Sequence, residues 1–77
     1  MITEFTNMAN VNLKGKTIRK VRYMTDDERK DFNWSKSALV IVFTDGTLLT
    51  SSCDDEMNDA GTMHLFTKDS QIVLPSL

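Results

Sequence analysis

The sequence predicts an α+β, β-rich fold: a strongly curved antiparallel sheet or small open barrel carrying one short helix. Three observations lead there. Asp45-Gly46 lies between two apolar runs, the strongest short-range hairpin signal, because turn residues of this kind tolerate positive φ. Thr25-Asp26-Asp27-Glu28 has the capping-box spacing that opens a helix. Further short apolar runs, at 63–66 and 72–74, read as additional strands.

The elements follow in order. Residues 1–12 are polar, rich in Asn and Thr and without a clear period, so a mobile arm is expected there, with Phe5 and Met8 docked. The remainder, 13–77, reads as one small β-rich domain. Residues 16–24 form a strand with Val21 and Tyr23 on its apolar side. Lys16, Lys20 and Arg22, preceded by Lys14, project from the other side. The helix then runs about two turns, to Asn33 or so, with three acids in its first turn to suit the helix dipole. Met24, Phe32 and Trp34 are its apolar contacts with a sheet.

In the hairpin at 39–50, a two-residue turn pairs Phe43 with Leu48, Val42 with Leu49 and Ile41 with Thr50. That register puts Leu39, Ile41, Phe43 and Leu48 on one face and Val40, Val42 and Leu49 on the other. Both faces are apolar, so something must cover each of them. The short helix covers one. The curl of the sheet, or another copy of the chain, is expected to cover the second.

The chain has 77 residues, enough for one domain, and a domain this small buries only roughly 60% of its unfolded surface. Domains of this size lean on disulfides, metals or partner subunits. Cys53 is the only cysteine, so no disulfide forms within the chain, and a reducing, cytoplasmic setting is expected. The first residues lack the pattern of a secretory signal. The longest apolar run, residues 38–43, is far short of a membrane span. With a net charge of −2, bulk attraction to nucleic acid is not expected. The charge is nonetheless polarised: five of the nine basic residues fall within 14–22, while Asp54, Asp55, Glu56 and Asp59 cluster later.

The chemistry-bearing residues give no catalytic signature and imply no cofactor. Asp54, Glu56 and Asn58 alternate as calcium ligands do, but Asp59 stands where a tight turn wants glycine and no closing Glu follows. A solvated loop is the simpler reading, and no metal is expected. Cys53 and His64 would need mutual contact and an orienting third group to act as nucleophile and base. The basic strand is the best ligand-facing feature: Lys16, Lys20 and Arg22 suit phosphates, Tyr23 and Trp34 offer stacking, and Ser51 and Ser52 lie at the hairpin's end. The same lysines also serve to protect an edge strand from aggregation.

The segments VRYMTDDE at 21–28, Trp34, ALVIVFTDGT at 38–47 and SSCDDEMNDAGTM at 51–63 resemble a family of small uncharacterised bacterial and phage proteins. That pattern is a Tyr-Met-Thr strand entering a short helix, then a Trp, an Asp-Gly-Thr hairpin and a Ser-x-Asp-Asp-Glu-x-Asn loop. The resemblance covers about residues 15–66 and implies that the 52–61 loop is a built feature. Members tend to carry Gly near position 57, where this chain has Met57.

The expected function is therefore binding without catalysis: a homo-oligomer capturing a small anionic, nucleotide-like ligand at a subunit interface. In a phage-encoded chain that role would be sequestration of a host defence signal, in the host cytoplasm. The alternative is an inhibitor or adaptor that meets a host protein through Asp54, Asp55, Glu56 and Asp59.

Overall fold

The structure, a computed structural model, describes all 77 residues. Its elements are α1 (Ile2–Leu13), β1 (Ile18–Tyr23), α2 (Asp26–Asp31), β2 (Leu39–Phe43), β3 (Leu48–Thr50), β4 (Met63–Phe66) and β5 (Gln71–Leu74). They form an α+β, β-rich fold with two small antiparallel sheets, one in the order β1-β2-β3 and the other β4-β5. No helix is long and apolar enough to cross a membrane.

This arrangement corrects the expectation of one strongly curved sheet or open barrel with a single helix. β3 is only three residues long. The chain then leaves the sheet in a loop that closes on itself through the Ser52–Ala60 bridge. β4 finds its partner in the next strand, Met63 opposite Leu74 and Leu65 opposite Ile72, so nothing joins β3 back to β1.

The second correction is the helix count: α1 is a second helix, over residues expected as an arm. Asn and Thr are weak helix formers, which hides the segment from a propensity reading. Two of its asparagines instead reinforce the helix: Asn10 Nδ2 donates to the Thr6 carbonyl (3.0 Å) and Asn12 Nδ2 to that of Met8 (2.7 Å). Phe5, Met8, Ala9 and Leu13 recur at helical spacing on one side. α1 has no buried residue.

α2 begins as its sequence dictates. Glu28 N–H donates to Thr25 Oγ1 (3.2 Å), and Thr25 N–H to Glu28 Oε1 (2.9 Å). It ends on Asn33 at φ 60, with Asn33 N–H bonded to the Lys30 carbonyl (2.9 Å) and Trp34 N–H to that of Arg29 (3.0 Å). Those two bonds are the Schellman pattern, and asparagine is among the few side chains that accept its left-handed residue. The reversal drops Trp34 onto the sheet, stacked on Phe32 with ring centroids 5.0 Å apart.

The hairpin is present with a different register. Gly46 N–H bonds to the Phe43 carbonyl (3.0 Å) and Phe43 N–H to that of Thr47 (2.9 Å), which makes a three-residue loop of Thr44, Asp45 and Gly46. Gly46 alone takes the left-handed conformation, at φ 88. Ile41 therefore faces Leu49, and Val42 faces Leu48. A one-residue slip exchanges the two sides of β3, so Leu48 joins the Val40–Val42 face and Leu49 the Leu39–Ile41–Phe43 face.

The core is correspondingly thin. Met24, Trp34, Ala38, Val40, Val42 and Ala60 form one buried cluster, and only 8 of 77 residues are buried at all. Val42, expected to need outside cover, is sealed within the chain by this cluster. Leu49 is half-buried.

Candidate functional site

Between α1 and β3 lies a groove of about 510 Å³. Phe5, Met8 and Leu13 line its helical side, and Leu48 and Leu49 its sheet side. The loop from Leu13 to Lys16, turning on Gly15 at φ 79, swings the helix over the hairpin without pressing it down. Phe5 keeps 60% of its surface exposed and Met8 52%, so the apolar walls are open rather than packed. The polar contribution comes from Asn12, Lys16 and Thr47. Lys16 Nζ donates to Asp45 and lies 3.4 Å from Thr47 Oγ1. An ammonium has three donors, so one remains for a ligand. Asp45 is held well below the usual carboxylate range, chiefly by Lys16 and then by Thr47. The volume and the mix of apolar walls with few polar groups suit a small molecule.

Of the ligand-facing residues named from the sequence, only Lys16 reaches this groove. Lys20 is exposed and makes no ion pair. Arg22 is committed to Glu28 through two bonds, 2.7 and 3.1 Å, and to the Tyr23 carbonyl at 3.1 Å. Tyr23 donates its hydroxyl to the Pro75 carbonyl (2.8 Å), tying the C-terminal segment to β1. Trp34 is only 2% exposed and so offers no stacking platform. Ser51 and Ser52 are half-buried at the root of the acidic loop, where Ser52 Oγ donates to the Asp54 carbonyl (2.7 Å). The basic stripe is thus dispersed among separate structural contacts.

The acidic quartet also divides. Asp54, though exposed, bonds within its own loop: its Oδ1 accepts from the amides of Glu56 (3.0 Å) and Asn58 (3.2 Å), and its Oδ2 from Asn58 Nδ2 (2.7 Å). Asp59 clasps the segment after α2, accepting from Ser35 Oγ and from the amides of Ser35 (3.1 Å), Lys36 (3.3 Å) and Ala60 (2.8 Å). Both carboxyls are accordingly held below their ordinary range, Asp54 first by Asn58 and Asp59 first by Ser35. Trp34 Nε1 completes the latch by donating to the Met57 carbonyl (2.7 Å). Met57 itself sits at φ 60, a conformation glycine adopts more easily. Of the four, only the carboxylates of Asp55 and Glu56 are left without a hydrogen-bond partner. No three of the His, Cys, Asp and Glu side chains converge as a metal site would require.

The Arg22–Glu28 pair makes a pH prediction. Glu28 is lowered from 4.5 to about 2, first by its bond to Arg22 and then by the Thr25 amide. A carboxyl depressed in the folded state stabilises that state above its unfolded value. The contribution fades as pH falls from about 4.5 toward 2. Asp45, Asp54 and Asp59 act with the same sign. Side-chain exposures of 29% and 35% keep the Arg22–Glu28 share modest through solvent screening. Denaturation midpoints measured across this window should fall with acid, and Glu28→Gln should flatten part of the slope. An unchanged slope in the variant would remove Glu28 from the account.

The helical wall of the groove is not among the site residues expected from the sequence: Phe5 and Met8 were expected only to dock an arm, and Leu13 only to extend an apolar strand face. Their spacing of three, then five, was the available signal. No protein-family model, curated protein or solved structure matches the chain.

Proposed function

We propose that this protein is a non-enzymatic binding protein, acting as a homo-oligomer, that sequesters a small anionic ligand in the α1–β3 groove. The observation that carries this reading is the groove's make-up: open apolar walls with the Lys16 ammonium at one end. A ligand with a planar or apolar body and an anionic end fits that division. The body would lie against Phe5, Met8 and Leu49, and the anion would take the free donor of Lys16. Nucleotides have this form, and capture without turnover is the action expected of a phage protein that removes a host signal.

The test is thermal shift and calorimetry against a panel of mono-, di- and cyclic dinucleotides. At least one should raise the melting temperature, and Leu49→Glu should abolish that shift by placing a carboxylate in the groove. No shift with any of them would overturn the nucleotide reading. A second reading, a protein adaptor, is favoured by one observation: Asp55 and Glu56 present free carboxylates on a latched loop. Capture of a host protein that survives Leu49→Glu and is lost on replacing Asp55 and Glu56 with Ala would support it over the first.

A further inference from the structure

The β4–β5 hairpin is anchored just beyond its C-terminal end, by Tyr23 to Pro75 and Ser37 to Leu77, while most of its own apolar side chains stand open. A two-stranded hairpin alone is marginal in water and needs a third strand or a packed layer. This one has neither on its faces: Leu65 is 50% exposed, Phe66 72%, Ile72 42% and Val73 52%. Leu65 and Ile72 are cross-strand partners on one face, while Val73 pairs with His64 on the other. Apolar surface is therefore open on both sides.

Its edges are equally unguarded. In the other sheet, β1 carries Lys20 and Arg22 with a register irregularity between Ile18 and Lys20, and β3 has only three residues. Charge, bulges and short strands are the ordinary defences of an edge. β4 and β5 contain no Lys, Arg, Asp or Glu, and each pairs over its full four residues.

The surface area indicates what is missing. The chain exposes 5935 Å². A compact monomer of 8.8 kDa should expose about 4,800 Å². The excess, roughly 1,100 Å², belongs to the whole chain, the open side of α1 included, and is enough for one standard interface of roughly 800 Å² per partner. An uncharged patch also lets identical copies meet without setting like charges against each other, which neither the basic 14–22 segment nor the acidic loop would allow.

We infer that a second copy of this chain pairs with the β4–β5 hairpin, edge to edge about a twofold axis. Two two-stranded hairpins become one four-stranded antiparallel sheet, with the same strand of each copy paired to itself. This gives a location to the self-association in the reading above and does not depend on the groove's ligand.

Sedimentation velocity on the full chain tests it. The wild type should run as a dimer. Leu65→Lys with Val73→Lys, both at exposed positions, should raise the dimer dissociation constant roughly a hundredfold or more. Hydrogen exchange on the wild type gives a second measurement: β4–β5 amides should gain protection as concentration rises. A monomeric wild type would overturn the inference, as would a dimer unaffected by the double substitution. A dimer disrupted by Leu49→Glu and not by the hairpin variant would also overturn it, because the interface would then lie at α1. A wild type that dimerises through the hairpin and binds no nucleotide would count against the proposed ligand alone.

Discussion

Trp34→Ala is expected to leave the domain largely unfolded at 25 °C, with a loss of about 3–5 kcal/mol. Small single-core domains hold little more than that in total. Trp34 is the largest member of the one buried cluster, where it meets Val40 and Val42 from β2 and Ala60 from the acidic loop's far end. Removing it opens a cavity that Met24 and two alanines lack the volume to fill. It also removes the donor to the Met57 carbonyl, at 2.7 Å, and with it one of the four hydrogen bonds between the 52–60 loop and the segment after α2. Trp34→Phe separates the contributions. It keeps most of the packing but leaves that carbonyl without its donor, a cost of about 1–2 kcal/mol. Chemical denaturation followed by far-ultraviolet circular dichroism checks both. A Trp34→Ala midpoint close to wild type would show that the core lies elsewhere.

What the sequence made legible was local chemistry. The capping box at Thr25 and Glu28 depends on residues three apart, and it forms as the pattern dictates. The Asp45-Gly46 hairpin forms too, yet its register was not legible, because Asp-Gly serves both a two-residue and a three-residue loop. The choice rests on partners that a local pattern does not include. Thr47 N–H bonds to Asp45 Oδ1 at 2.9 Å, and Lys16, far back in the chain, takes the other carboxylate oxygen. That one-residue difference moves Leu49 to the Ile41 face. The candidate site suffered more from the same cause. Lys16, Arg22 and Tyr23 look like a stripe only while their partners Asp45, Glu28 and Pro75 are unknown. The acidic loop looks like a charged surface until Asp59 is seen clasping Ser35 and Lys36, more than twenty residues earlier. The groove's helical wall was hidden by asparagines that lower propensity without preventing a helix.

Gly61→Ala is expected to cost about 2–3 kcal/mol, more than the same change at Gly15 or Gly46, although only those two glycines have positive φ. At Gly15 and Gly46 an added Cβ meets nothing within 4 Å, so the penalty there is conformational, about 1 kcal/mol. At Gly61 it would lie 2.6 Å from the Ser52 carbonyl oxygen, 2.8 Å from the Ser52 carbonyl carbon and 2.7 Å from Ser51 Oγ. The hydroxyl is free to rotate away, whereas the backbone is held. Gly61 N–H bonds to the Ser51 carbonyl at 2.9 Å, and Ala60 bridges Ser52 from the next position. Relieving the clash means parting these two strands of the loop, which draws Ala60 out of the core and loosens Asp59 from Ser35. The effect should therefore spread beyond the substituted residue to Trp34. Trp34 is the chain's only tryptophan, so its emission reports on the core directly. In Gly61→Ala the emission should shift to the red before global unfolding, with a lowered denaturation midpoint, while Gly46→Ala should lower the midpoint less and leave the native emission unchanged. The reverse order of midpoints would mean that the 51–61 closure is not what holds the acidic loop against the sheet.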